Sequence, residues 1–101
     1  MAAPGSKAHL SKLVNLTGAV IARTSLQRAN LTDANLTGAN CSHVDFRGAN
    51  MLRTKLKGAI LVGADLTGVK NLTREQIAEA VIDHSTKLPD YLSDMRPKAA
   101  E

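Results

Sequence analysis

The chain repeats a five-residue pattern from Val14 to Gly68, through eleven pentads without an insertion. The first residue of each pentad is small or β-branched, and the third is apolar in each. The third positions are Leu16, Ile21, Leu26, Leu31, Leu36, Cys41, Phe46, Met51, Leu56, Leu61 and Leu66. A fixed period of this kind is typical of stacked coils, in which each repeat buries its apolar side against its neighbours.

The order of residues within a pentad predicts which side chains face the core. Successive side chains of an extended backbone point to opposite faces, so the first and third residues point inward and the second points outward. The second residue is polar in most pentads, with Val20 and Ile60 as exceptions. The fourth and fifth residues then form a turn, where glycine is frequent because it tolerates unusual backbone angles. A helix is disfavoured, because a period of five does not match its period of about 3.6 residues.

Tandem repeats of the form A(N/D)LxG resemble those of the pentapeptide-repeat family. The resemblance implies an all-β solenoid, a right-handed quadrilateral β-helix with four pentads to a coil. The repeats would then form about three coils, with residues twenty apart stacked at a spacing of about 4.8 Å. The predicted buried ladders are Leu16–Leu36–Leu56, Ile21–Cys41–Leu61, Leu26–Phe46–Leu66 and Leu31–Met51.

The twelfth pentad, Val69–Thr73, breaks the pattern because Asn71 stands where an apolar residue is due. Either Asn71 caps the Met51 column through a hydrogen bond, or the chain has already left the coil. We favour the second arrangement, because a helix start follows directly.

The residues Thr73-Arg-Glu-Gln76 have the form of a capping box, in which two side chains satisfy the first backbone N–H groups of a helix. Ile77 and Val81 belong to the apolar side of an amphipathic helix that we predict over Arg74–His84. The last coil of a β-helix exposes an apolar core and unpaired edges, which such a helix would cover. We therefore predict a capping helix and return segment over residues 73–92.

The sequence divides into four parts on this interpretation. Residues 1–13 are a leader that either frays or forms a short N-terminal cap over the first coil. Residues 14–72 are the repeat domain, and residues 73–92 follow as the cap. Residues 93–101 are polar and are predicted to form a disordered tail.

No catalytic or metal-binding motif is found in the sequence. The three histidines, His9, His43 and His84, are scattered, and no phosphate-binding glycine loop occurs. The single cysteine, Cys41, excludes an internal disulfide and is predicted to be inert core filler. We therefore expect a non-enzymatic protein without cofactor or metal.

Two groups of residues are candidates for an interaction surface. Arg53, Lys55 and Lys57 lie within five residues and form either a solvated basic corner or a docking patch for an acidic partner. Arg53 follows Asp33 by twenty residues, which predicts an ion pair between adjacent coils. Val20, Ile60 and Val62 point outward from one face and form either a contact surface or incidental aliphatic groups on a strand.

These features favour a protein-interaction module or a structural spacer, with another protein or a second copy as its partner. The family resemblance supplies an alternative, because some members modulate DNA gyrase and related topoisomerases by resembling duplex DNA. That role requires a strongly acidic surface. The pentads instead carry six basic and three acidic residues, and three coils span only about 15 Å.

A second alternative is weak nucleic-acid binding through the basic corner. The chain has a net charge of +4, but its only aromatic residues are Phe46 and Tyr91. Stacking platforms for single strands are therefore lacking, and nucleic acid is not the favoured partner. The sequence shows no apolar run of about 18 residues and no secretory signal, so we expect no membrane span and a cytoplasmic location.

Overall fold

In a computed structural model of the chain, residues 14–97 are described, and the predicted N-terminal leader and cap lie outside them. Parallel bridges join residues that are twenty positions apart, so each coil of the solenoid contains four pentads. Within residues 14–97 the ladder is made of isolated bridges and no longer strand, because a turn follows every three residues. The pairs that are twenty apart are Asn15–Asn35, Val20–Asn40, Ser25–Asp45, Asn30–Asn50, Asn35–Lys55, Asn40–Ile60, Asp45–Asp65 and Asn50–Lys70.

The pentad 34–38 shows how the backbone N–H groups are used. The first N–H closes a turn onto the preceding pentad, and the second donates to the coil before. The third and fifth donate to the coil after. The fourth has no partner in this ladder, and the N–H of Thr37 donates instead to Asn35 Oδ1 at 3.0 Å.

The same local hydrogen bond explains why asparagine or aspartate recurs at the second position of a pentad. A short side chain that ends in an oxygen can accept from the N–H two residues later. The residues that do so within the repeats are Asn15, Asn30, Asn35, Asn40, Asp45, Asn50 and Asp65. Four pentads carry Val20, Ser25, Lys55 or Ile60 there, and their fourth N–H groups donate to no atom of residues 14–97.

Every corner residue of the repeats has a positive φ, between 57° and 72°. A positive φ at the second central residue is what a type II β-turn requires, and glycine supplies it without steric cost. Five corners are not glycine, and left-handed backbone costs such residues roughly 1–2 kcal/mol each. They are Arg23, Arg28, Asp33, His43 and Arg53.

The apolar core follows the third positions of the pentads. All of these residues from Leu31 to Leu66 are buried, while Leu16, Ile21 and Leu26 of the first coil are partly buried. Burial of each such side chain contributes roughly 1.5–3 kcal/mol of transfer free energy. The predicted core ladder is therefore the core of the structure, and Phe46 is its largest member.

The chain leaves the regular coil at Asn71, so the favoured of the two predicted arrangements is the one found. Lys70 still pairs with Asn50. Asn71 is exposed, has a φ of 63°, and donates from its side chain to Asn50 Oδ1 at 3.0 Å. It therefore does not cap the buried Met51 column.

Helix α1 spans Arg74–Glu79 and is shorter than predicted. Its capping box is present, with the N–H of Gln76 donating to Thr73 Oγ1 at 3.2 Å and the N–H of Thr73 donating to Gln76 Oε1 at 2.7 Å. The prediction of a helix up to His84 was wrong. Ala80 is extended, and Val81 forms a bridge with Ile60 instead of extending the apolar side that contains Ile77.

A 3-10 helix spans Asp90–Met95 and contains the buried Leu92. The prediction of a disordered tail was therefore wrong for residues 93–95, because Leu92 anchors this segment. An ion pair between Arg74 and Asp94 at 2.9 Å also links the two helices. Residues 98–101 lie outside the described part of the chain.

The C-terminal segment supplies hydrogen bonds at the end of the last coil. In the first two coils, the carbonyl of the first residue of each pentad accepts from a backbone N–H of the next coil. At the end, two of these carbonyls accept from backbone and two from side chains. The pairs are Val81 N to Ala59 O, Lys87 N to Ala64 O, Gln76 Nε2 to Thr54 O and Tyr91 Oη to Val69 O.

Replacing Asn35 by alanine should lower the free energy of unfolding by about 0.5–1.5 kcal/mol, because the N–H of Thr37 loses its acceptor. The converse change, Val20→Asn, should raise stability by a similar amount, because it offers an acceptor to the N–H of Ala22. Urea unfolding followed by circular dichroism measures both. Equal stabilities for the two variants would contradict this account of the second position.

Replacing Tyr91 by phenylalanine should destabilise the protein by about 1–3 kcal/mol, because it leaves two backbone groups unpaired. The Tyr91 hydroxyl donates to Val69 O at 2.7 Å and accepts from the N–H of Leu72 at 3.2 Å. Hydrogen exchange at Leu72 should accelerate in the same variant. Ser93→Ala serves as the control, since that exposed hydroxyl forms no hydrogen bond within residues 14–97, and unchanged exchange in Tyr91→Phe would refute the role of the hydroxyl.

Candidate interaction surface

One side of the solenoid carries outward-pointing aliphatic side chains, and we call it the aliphatic face. Its aliphatic residues are Val20, Ala22, Ile60, Val62 and Val81, and Asn40 and Ser42 of the second coil lie between those of the first and third coils. Val20 is 76% exposed and Val81 is 49% exposed, while the other three are half-buried. Val81 extends the face because it is bridged to Ile60. Sequence reasoning missed it, because Val81 follows Ile60 by 21 residues and thus breaks the period.

The aliphatic face departs from the local rule for the second position. Val20 and Ile60 occupy that position but provide no side-chain oxygen. The N–H groups of Ala22 and Val62 therefore donate to no atom within residues 14–97. Such departures from local consistency are expected mainly at functional sites, where another requirement takes precedence.

The three basic candidate residues do not form one patch. Arg53 donates to Asp33 through Nε at 2.7 Å and Nη2 at 3.0 Å, as the twenty-residue spacing predicted, and this pairing raises the pKa of Arg53. Lys55 and Lys57 are exposed and form no ion pair with residues 14–97. Of the three candidate cations, Lys55 and Lys57 therefore remain available to a partner.

The two lysines lie next to the aliphatic face. Lys55 and Lys57 are on one side of the corner at Gly58, and Ile60 and Val62 are on the other. This corner is glycine in all three coils, since Gly38 and Gly18 occupy the same position below Gly58. The corner residues themselves therefore place no side chain between the lysines and the aliphatic residues.

A third side carries stacked carboxylates that are paired with Arg47. Arg47 donates to Asp45 through Nε at 3.0 Å and Nη2 at 2.9 Å, and its Nε lies 4.0 Å from Asp65 Oδ2. Hydrogen bonds from Arg47 and then Gln27 hold the pKa of Asp45 well below its ordinary value of 3.8. The bridged pair Asp45–Asp65 therefore does not present the unrelieved like charges that stacking alone would predict.

Reactive groups are few among the described residues. Cys41 is buried, and this burial raises the pKa of its thiol to about 11, so the unreactive thiol form prevails at neutral pH. No group of His, Cys, Asp and Glu side chains in residues 14–97 is arranged to hold a metal ion. None of the helices within that range is long and apolar enough to cross a membrane.

A cleft of about 650 Å³ lies between the last repeat and the start of the 3-10 helix. Its side chains with hydrogen-bonding or charged groups include Lys70, Asn71, Asp90 and Tyr91, and neither histidine nor cysteine lines it. The Tyr91 hydroxyl is already occupied by its two backbone partners. Thr67 also lines the cleft, and within residues 14–97 neither its hydroxyl nor Lys70 is hydrogen-bonded to the carboxylate of Asp90.

Comparison with protein families gives a match that agrees with this geometry. The family model for pentapeptide repeats matches residues 15–51 and 34–70, which together are more than half of the chain. The chain belongs to the pentapeptide-repeat family. This membership confirms the resemblance seen in the sequence and assigns the repeats to a β-helix solenoid.

Among solved structures, the chain is similar to the crystal structure of a pentapeptide repeat protein, Rfr23, from the cyanobacterium Cyanothece 51142. The two share 26% sequence identity with a TM-score of 0.45. The alignment covers 81% of this chain and 61% of that chain, so the pentapeptide-repeat chain spans about three-fifths of Rfr23. A comparison with the curated proteins gives no match.

Acid should selectively weaken the contribution of Asp45 to stability. Because its pKa is lowered in the folded protein, the carboxylate stabilises the fold above the unfolded pKa, and this contribution declines as the pH falls below about 4. Asp45→Asn retains an acceptor for the N–H of Arg47 but removes the charge. The stability difference between wild type and Asp45→Asn should shrink between about pH 5 and pH 2 in urea unfolding. A difference that is constant over this range would contradict the prediction.

Proposed function

We propose that this chain is a non-enzymatic pentapeptide-repeat module that presents a rigid surface to a protein partner, through the aliphatic face. One observation carries the proposal. At Val20 and Ile60, aliphatic side chains stand where an oxygen acceptor stabilises seven of the eleven pentads, and they remain accessible. The partner is either another protein or a second copy of the chain.

The chemistry of the described residues supports a binding role over catalysis. The Cys41 thiol is buried in the core, and no metal-binding cluster lies within residues 14–97. In the cleft beside Tyr91, neither Thr67 nor Lys70 is hydrogen-bonded to Asp90, the carboxylate that could act as a base. Pentapeptide-repeat proteins are also generally non-enzymatic.

The proposed architecture is a right-handed quadrilateral β-helix of about three coils over residues 14–72, with residues 73–92 as its C-terminal cap. The register of twenty residues supports the four-sided coil. The hydrogen bonds from Gln76 and Tyr91 to the last coil support the capping role. A closed end of this kind would prevent one solenoid from adding to the end of another.

DNA mimicry at a topoisomerase is less well supported, because it needs an acidic surface and the chain carries a net charge of +4. Nucleic-acid binding through the basic corner is also less well supported. Arg53 is paired with Asp33, so two of the three predicted cations remain for phosphate groups.

Site-specific photo-crosslinking in the native host tests the proposed function. A benzoylphenylalanine at Val20 or at Val62 should give the same discrete covalent adduct, because both lie on the aliphatic face. Thr32 is the matched control, since it is the fourth residue of a pentad on the opposite side. The mass of the adduct distinguishes a second copy from another protein.

Adducts of equal yield from Thr32, or no adduct from either aliphatic position, would refute the interaction surface. If the partner is a second copy, replacing Val20, Ile60 and Val62 by threonine should reduce the mass measured by light scattering. A monomer before and after the replacement would exclude self-association through this face.

A further inference from the structure

We propose that the partner contributes an acidic segment with aliphatic side chains, which binds across the glycine corner of the third coil. The surface consists of Lys55, Lys57, Ile60 and Val62, and we call it the composite corner. This inference rests on the proposed function and specifies the chemistry of the partner.

The composite corner is one continuous stretch of the chain. The residues on either side of each of the four are buried or glycine, so the four side chains point outward; the buried neighbours are Thr54, Leu56, Ala59 and Leu61. Gly58 forms the turn and is exposed. A partner can therefore approach the backbone closely while it contacts the lysines on one side and the aliphatic residues on the other.

Two backbone donors are available at the composite corner. The N–H groups of Lys57 and Val62 occupy the fourth position of their pentads and donate to no atom of residues 14–97. At the same position, the N–H groups of Arg47 and Thr67 donate to the carboxylates of Asp45 and Asp65 at 3.1 and 3.0 Å. A carboxylate from a partner can therefore accept from Lys57 or Val62 in the way that an internal carboxylate does in other pentads.

The charge of the composite corner is also unmatched. Lys55 and Lys57 form no ion pair with residues 14–97, whereas Arg53 is held by Asp33. Helix α1 reaches this corner at Glu79, whose carbonyl accepts from the N–H of Gly58 at 2.8 Å. Although Glu79 is exposed and close, its carboxylate pairs with neither lysine. A partner carboxylate would gain both the lysine charge and a backbone hydrogen bond.

The aliphatic half of the composite corner distinguishes an acidic protein segment from a nucleic acid. Phosphates could pair with Lys55 and Lys57, but the sugar-phosphate backbone beside them has no aliphatic side chains to cover Ile60 and Val62. Aromatic side chains on which bases could stack are also absent from the composite corner. A segment that alternates acidic and aliphatic residues satisfies both halves.

Binding of a synthetic probe to the whole chain tests this inference. The probe is a fluorescein-labelled peptide of three Glu-Glu-Leu-Leu units, and fluorescence anisotropy measures its affinity. The double variant Lys55→Asn/Ile60→Asn should bind it at least roughly tenfold more weakly. Each asparagine supplies a side-chain acceptor to one of the unpartnered N–H groups, those of residues 57 and 62. The variant should therefore stay folded, and circular dichroism verifies this.

Two further variants separate the contributions. Lys57→Gln removes one charge but leaves its N–H available, so it should weaken binding by roughly threefold and reduce the salt dependence. Ser25→Asn makes the same kind of replacement in the first coil, on a different side from the lysines and the aliphatic face, and should leave the affinity unchanged.

The inference is overturned if the folded double variant binds the probe as tightly as wild type. It is also overturned if wild type fails to bind the probe, or binds a peptide of Lys-Lys-Leu-Leu units or a duplex DNA equally well. A specific photo-adduct from Val62 together with any of these results would refute only the acidic segment. Loss of the photo-adducts from the aliphatic face would refute the proposed function itself.

Discussion

The solenoid depends on backbone hydrogen bonds between residues that lie twenty positions apart. In the second-coil pentads 34–38, 39–43 and 44–48, this ladder uses three of the five N–H groups, and the turn onto the preceding pentad uses a fourth. The remaining N–H, at the fourth position, points outward and needs a partner of its own. Asparagine and aspartate at the second position supply that partner, so the repeat pattern reflects a hydrogen-bonding requirement as well as core packing. A pentad without such an acceptor leaves its fourth N–H unpaired within the chain, which lowers its contribution to stability.

The fold could be predicted from the sequence because the repeat has no insertion from Val14 to Gly68. The core ladder and the Asp33–Arg53 ion pair both follow from a register of twenty residues. Beyond Gly68 the period fails, and prediction from the sequence became less accurate. A capping box and apolar residues indicated a helix to His84, but the ladder edge offered hydrogen bonds to Val81 and ended the helix earlier. Local propensity could not reveal a competing edge that forms only after the coils have stacked.

The candidate surface was predictable in its residues but not in its organisation. Val20, Ile60 and Val62 could be identified by their outward positions, and Lys55 and Lys57 by their charge. The lysines and the aliphatic residues lie on either side of one corner. This arrangement became evident only when the structure showed the three glycines stacked at that corner. The backbone N–H groups that lack an acceptor were also not predicted from the sequence. The role of the second-position side chain as their acceptor is seen only when the partner of each N–H is known. Arg47 was likewise not recognised as the partner of Asp45. The two residues belong to one pentad, and the register of twenty residues predicts only pairs between coils.

The register also couples the number of repeats to the direction in which each surface points. Val81 continues the column of Ile60 because the chain between them completes one coil with a single added residue. One extra pentad between them would rotate Val81 by a quarter turn and divide the aliphatic face between two sides of the solenoid. Four extra pentads would lengthen the solenoid and keep both residues in phase. Chains of this architecture can thus grow by whole coils without loss of a surface that crosses from the repeats into the C-terminal segment, whereas growth by single pentads would reorient it.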